Sequence, residues 1–99
     1  MNDLIAFLTA RLDDAAERAR FRKSESTQYA GFETDPDDVL RDVEADRRLL
    51  AEWQKAEADP AIDDEWNAGF AAGLRLAVQI RAARYGDHPD YRPEWAPGA

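Results

Sequence analysis

His88 is the single histidine in a chain of 99 residues, and it stands between Asp87 and Asp90. An imidazole flanked by carboxylates is the raw material of acid–base or metal chemistry. Neighbours in an extended segment do not converge on one ion, however. Zinc also wants further nitrogen or sulfur ligands, and the chain has no cysteine. The plainer reading is that His88 orders the turn at Pro89. A serine or threonine nucleophile would need His88 as its base, and nothing in the sequence pairs them. No glycine-rich phosphate loop occurs. Asp63, Asp64 and Glu65 could hold magnesium, but acids at a helix start are explained by the helix dipole. Glu44, Arg47 and Arg48 alternate in sign at the three- and four-residue spacings of exposed helical ion pairs. No catalytic residue, cofactor or metal ligand is assigned, and a non-enzymatic protein is expected.

Charge narrows the partners. Thirteen basic against twenty-one acidic side chains give a net charge of −8. Residues 1–23 carry +1, residues 24–60 carry −7, residues 61–84 balance three against three, and residues 85–99 carry −2. So acidic a middle third argues against direct contact with nucleic acid or an anionic membrane, and it permits a basic protein partner. Arg18, Arg20, Arg22 and Lys23 could be read as a phosphate or RNA patch. As a solvated helix end they need no ligand. The opening Met-Asn-Asp lacks the positive region of a signal peptide. The apolar-leaning run Ala68 to Ile80 is broken by Arg75 and is too short to cross a bilayer. A soluble, cytoplasmic protein is expected.

The elements that would position these groups are helical. Leu4, Ile5, Leu8, Leu12, Ala15, Ala16 and Ala19 share one face of a helix over about residues 3–23. Residues 24–35 read as a connecting loop pinned by Tyr29 and Phe32. Asp35-Pro36-Asp37-Asp38 is a helix start, with a capping aspartate, a proline at the first position and two more acids on the dipole. The second helix runs over about residues 36–57, with Val39, Leu40, Val43, Leu49, Leu50 and Trp53 on its apolar face. Asp46 falls in the middle of that face, so it lies at the rim of the core or meets an arginine from another helix. Asp59-Pro60 repeats the start signal, which predicts a third helix over about residues 60–85 with Gly86 as its C-cap.

That third helix reads as the central one. Trp66, Phe70, Leu74, Leu76, Ala77, Val78 and Ile80 cover more than half of its circumference, as in a helix packed between two others. Gly69, Gly73 and Ala77 form a ridge of small residues that would let a neighbouring backbone come close. Two helix-interior glycines cost about 1 kcal/mol each relative to alanine, which close packing would offset. The tail, residues 86–99, holds three prolines and two aromatics, Tyr91 and Trp95, which would anchor it on the bundle or dock it on another protein. The expected fold is all-α: a three-helix bundle in one domain with an extended proline- and aromatic-containing C-terminal tail packed on it. The wide apolar arc also admits a homodimer through Gly69, Gly73 and Ala77.

Val39 to Leu50, followed by a leucine-rich stretch and Tyr85-Gly86-Asp87-His88-Pro89-Asp90-Tyr91-Arg92-Pro93-Glu94-Trp95, resembles a family of small actinobacterial and actinophage proteins catalogued only as a domain of unknown function. Asp3 to Leu8, with Ala10 to Asp13, is similar to its opening. Together these cover about half of the chain, and the tail is the most specific part. Many members carry a cysteine-containing insert between the second helix and the tail. Here that segment, Lys55 to Gly73, has no cysteine, so the resemblance carries over no metal site. Asp46 stands where the family pattern implies a basic residue. The resemblance implies an actinobacterial or phage source and supplies no activity.

Three functions remain open on these residues. One is a small acidic regulator or binding protein that engages another protein through a helix face or the tail. Its candidate contacts are Phe7, Phe21, Tyr91 and Trp95, with Asp37, Asp38, Asp42 and Glu52 for a basic partner. The second is an acidic decoy that imitates DNA with the carboxylates of residues 33–59. The third is a small enzyme using His88 with Asp87 or Asp90.

Overall fold

The computed structural model of the chain describes residues 2–24 and 35–98. Three helices follow one another: α1 (Asn2–Ser24), α2 (Pro36–Glu57) and α3 (Glu65–Ala82), with single 3-10 turns at Ala83–Tyr85 and Pro93–Trp95. The described residues contain no strand, and the chain is an all-α bundle. The loop expected over residues 24–35, with its anchors Tyr29 and Phe32, lies outside the described residues from 25 to 34.

Local chemistry sets each start. The Asp35 carboxylate accepts from the Asp37 N–H at 2.9 Å, and Pro36 opens α2. Asp59-Pro60 builds turns instead of a helix. Its carboxylate accepts from Ala61 N–H at 2.8 Å, and its carbonyl accepts from Ile62 N–H at 3.0 Å. The helix begins only after a second capping aspartate, Asp64, which accepts from Trp66 N–H at 2.9 Å. A capping aspartate followed by proline serves a single turn as well as a helix, and the nearer cap to the apolar run takes the helix. At the other end α3 tightens into the 3-10 turn. Gly86 stays in right-handed helical space at φ −57°, so no left-handed cap forms there.

The central helix is α2, and this corrects the reading of the third helix. α2 packs on α1 along one flank and on α3 along the other. The core joins Leu4, Leu8, Leu12 and Ala16 of α1 to Val43, Leu50 and Trp53 of α2, and to Val78 and Ala82 of α3. Trp53 is wholly buried, and its indole N–H donates to Glu57 at 2.9 Å. α3 contributes only one narrow face, Ala71, Val78 and Ala82, with Leu74 half-buried beside them. Trp66, Phe70, Leu76 and Ile80 stand in solvent at 78%, 54%, 46% and 55% exposure. The period of apolar residues placed no limit on which side a partner would cover, because that helix is apolar on nearly every side.

Asp46 sits at 4% exposure between α2 and α3. Arg81 grips it bidentately, Nε to Oδ1 at 2.8 Å and Nη2 to Oδ2 at 3.2 Å, and Arg84 Nη2 adds a third bond at 2.7 Å. The hydrogen bond to Asp46 raises the pKa of Arg81. The arginine partner from another helix is thus supplied twice over, and the three bonds cross-link α2 to the end of α3 and the turn that follows it.

The tail folds back across α1 through successive turns. Tyr91 N–H donates to His88 O at 3.0 Å and Trp95 N–H to Arg92 O at 3.0 Å. Trp95 is 7% exposed. Among the described residues, no helix is long and apolar enough to cross a membrane.

Candidate functional site

Two places on this scaffold qualify by their chemistry: the His88 corner and the outer face of α3. At the first, Phe7 of α1 is the hub. Its ring meets Trp95 at 5.2 Å, His88 at 5.4 Å, Tyr91 at 5.9 Å and Tyr85 at 6.3 Å, mostly edge to face. The Arg11 guanidinium lies 5.3 Å from the same ring and also bonds His88 Nε2. The other ring nitrogen, Nδ1, faces the Asp90 backbone N–H at 3.0 Å. A neutral imidazole accepts at one nitrogen only, so one tautomer bonds Arg11 and the other bonds the Asp90 N–H; both nitrogens are covered by protein and neither is aimed at open space. Asp90 meets the ring through its backbone, and Asp87 is exposed. Among the described residues, no three His, Asp or Glu side chains gather as a metal site would need. The corner is built as a lock between tail and helix.

The candidate contact residues divide along the same line. Phe7 and Trp95 are buried and Tyr91 is half-buried in this cluster, so all three hold the tail down and none of them presents a free docking surface. Phe21 is different. It is 65% exposed and borders an open groove of about 670 Å³ with Ala15, Arg18 and Val39. The acidic candidates are interleaved with cations. Asp37 is bridged by Lys23 at 2.8 Å, Asp38 by Arg41, and Glu52 by Arg48 at 3.1 Å. Asp42 is exposed and lies near enough to Arg81 to help raise its pKa. The hydrogen bond from Lys23 holds the Asp37 carboxyl below its usual range, and the same contact raises Lys23.

The outer face of α3 is the second place. At 100° per residue, Trp66, Gly69, Phe70, Gly73, Leu76, Ala77 and Ile80 fall within one third of the helix circumference, and the buried Ala71, Val78 and Ala82 lie on the opposite side. Trp66 and Phe70 also wall a groove of about 280 Å³ between α2 and α3, completed by Glu52, Lys55, Ala56 and Asn67. With aromatic side chains offering roughly 150–250 Å² each, the four large residues leave on the order of 500 Å² of apolar surface in water. Scattered single apolar residues need no explanation, whereas a contiguous patch of this size is at the upper end of what a typical monomer exposes. The sequence singled out the Gly69, Gly73 and Ala77 ridge on this face for a homodimer, but placed Trp66, Phe70, Leu76 and Ile80 inside the bundle, where the structure leaves them exposed. The signal for the surface was present in the two glycines, since a Cβ built on Gly69 or Gly73 meets nothing within 4 Å. Among the described residues, nothing supplies the close packing that would offset their cost.

The model of a family of unknown function, DUF6221, matches residues 1–97, and the chain belongs to that family. No curated protein and no solved structure matches it.

Proposed function

From membership of a family without an assigned activity, we propose that this chain is a non-enzymatic interaction module. It works by presenting the apolar face of α3 to another polypeptide. The observation that carries this reading is the exposure of Trp66, Phe70, Leu76 and Ile80 on one helix face. Aromatic side chains in such a setting are the usual anchors of binding energy, and the charged rim of Glu52, Lys55 and Glu65 gives the polar border of an interface. The decoy reading is less favoured, because arginines and a lysine alternate with the carboxylates of α2 where a DNA mimic needs an unbroken row. The His88 enzyme is less favoured because both ring nitrogens are covered by Arg11 and the Asp90 backbone. An actinobacterial or phage setting belongs to the same proposal and rests on the tail motif.

The test places a photo-cross-linking residue at position 66 or 70, with position 20 on α1 as control, in extracts of the source cell. Adducts with a polypeptide form from the α3 positions and not from the control. Adducts that are no more frequent at positions 66 and 70 than at position 20 refute the proposal.

A further inference from the structure

We infer that the face of α3 is covered by a second copy of this chain, packed antiparallel about a two-fold axis at Gly73. The inference rests on the docking role proposed for that face and adds its occupant. An isologous interface must be self-complementary about its axis, and this helix is. Trp66 and Ile80 lie seven residues to either side of Gly73, Gly69 and Ala77 lie four, and Phe70 and Leu76 lie three. A two-fold through Gly73 therefore sets Trp66 level with the partner's Ile80, and Phe70 level with the partner's Leu76. Gly69 comes level with the partner's Ala77, and Gly73 meets its own copy. Large residues stand beside large and small beside small. The space beside both glycines, which none of the described residues fills within 4 Å, receives the partner's backbone.

Charge selects the antiparallel sense. Asp63, Asp64 and Glu65 stand at the start of α3, and at its end Arg81 and Arg84 share the single Asp46 carboxylate, which leaves that end a net charge of +1. Antiparallel packing brings each acidic end beside the partner's basic end and opposes the two helix dipoles, whereas parallel packing sets like beside like. Residues 61–84 are neutral overall in a chain of net charge −8, so this stretch lets two acidic copies meet at little electrostatic cost.

Area agrees. Trp66, Phe70, Leu76 and Ile80 leave on the order of 500 Å² of apolar surface in water, about the apolar share of one partner's side in a standard interface. A standard interface takes about 800 Å² from each partner.

Sedimentation equilibrium on the full chain gives twice the chain mass of 11.2 kDa. Trp66→Asp and Phe70→Asp each raise the dimer dissociation constant about 100-fold or more with unchanged helical circular dichroism, while Phe21→Asp on α1 does not. Single-cysteine variants are clean in a chain without cysteine. Gly73→Cys, on the axis, oxidises to a covalent dimer, and Trp66→Cys does not, because its two copies sit about 21 Å apart along the helices. Equal cross-linking at both positions means parallel packing and overturns the register. A mass of one chain at millimolar concentration overturns self-association. In that case adducts with a different polypeptide at positions 66 and 70 leave the docking reading standing. A dimer undisturbed by both aspartate substitutions overturns the placing of the second copy on this face, and the docking reading then stands or falls on the cross-linking at positions 66 and 70.

Discussion

At Asp46 the chain places a carboxylate where almost no water reaches, and holds it with two arginines that do reach water. Asp46 is 5% exposed as a side chain, against 43% for Arg81 and 39% for Arg84. That asymmetry predicts unequal losses. Asp46→Ala frees two cations that solvent can take up, and costs about 1–2 kcal/mol. Removing both arginines strands the anion and costs about 3–5 kcal/mol. Urea unfolding of Asp46→Ala and of Arg81→Ala/Arg84→Ala measures both, and equal costs would contradict the asymmetry. The Lys23–Asp37 bridge is exposed, and its effect is one of pH. A depressed Asp37 contributes stability above its usual pKa of 3.8, lost as pH falls through its folded value. A raised Lys23 contributes below its usual 10.5, lost as pH rises through its folded value. The difference in thermal midpoint between the native chain and Lys23→Met is therefore widest between about pH 5 and pH 9 and closes at both extremes. High salt narrows it throughout.

At the scale of the element, α3 holds two glycines that its own bundle does not need. A Cβ at Gly73 meets nothing within 4 Å, so Gly73→Ala stabilises the isolated chain by about 1 kcal/mol through helix propensity alone. Chemical unfolding in the Phe70→Asp background, where the α3 face is disabled, reads that gain, and a loss of stability there would mean a neighbour inside the chain. The helices themselves were legible in the sequence where a strong cap met a one-sided apolar face, as at Asp35-Pro36 before Val39, Val43 and Leu50. Asp59-Pro60 shows why a cap signal alone is not enough, since the same residues close a turn when the next capping aspartate lies five residues on. Which side of α3 the bundle covers was not legible, because a buried apolar face and an exposed one read identically as periodicity. His88 was legible as an ordering residue of the turn. Its hold on Arg11 was not, because the two residues come from opposite ends of the chain.

Across the whole molecule, the first and last segments are tied together, and the contacts that tie them differ in kind. Arg92 bridges Asp3 at 2.9 Å, but both side chains stand in water at 52% and 67% exposure. Trp95 is 7% exposed against Phe7, with Tyr91 edge-on at 5.7 Å. An exposed ion pair is worth less than about 1 kcal/mol, so Arg92→Ala leaves stability nearly unchanged. Trp95→Ala opens the aromatic cluster and costs about 3–5 kcal/mol, a large share of the 5–15 kcal/mol typical of a domain. Phe7→Ala removes the other half of the same contact. Its loss combined with Trp95→Ala is smaller than the two single losses added, because each single change already removes their mutual packing. A double-mutant cycle by urea unfolding checks this. Strict additivity would mean that the tail and α1 are held by separate contacts, and that the corner around Phe7 is not the joint that closes the chain.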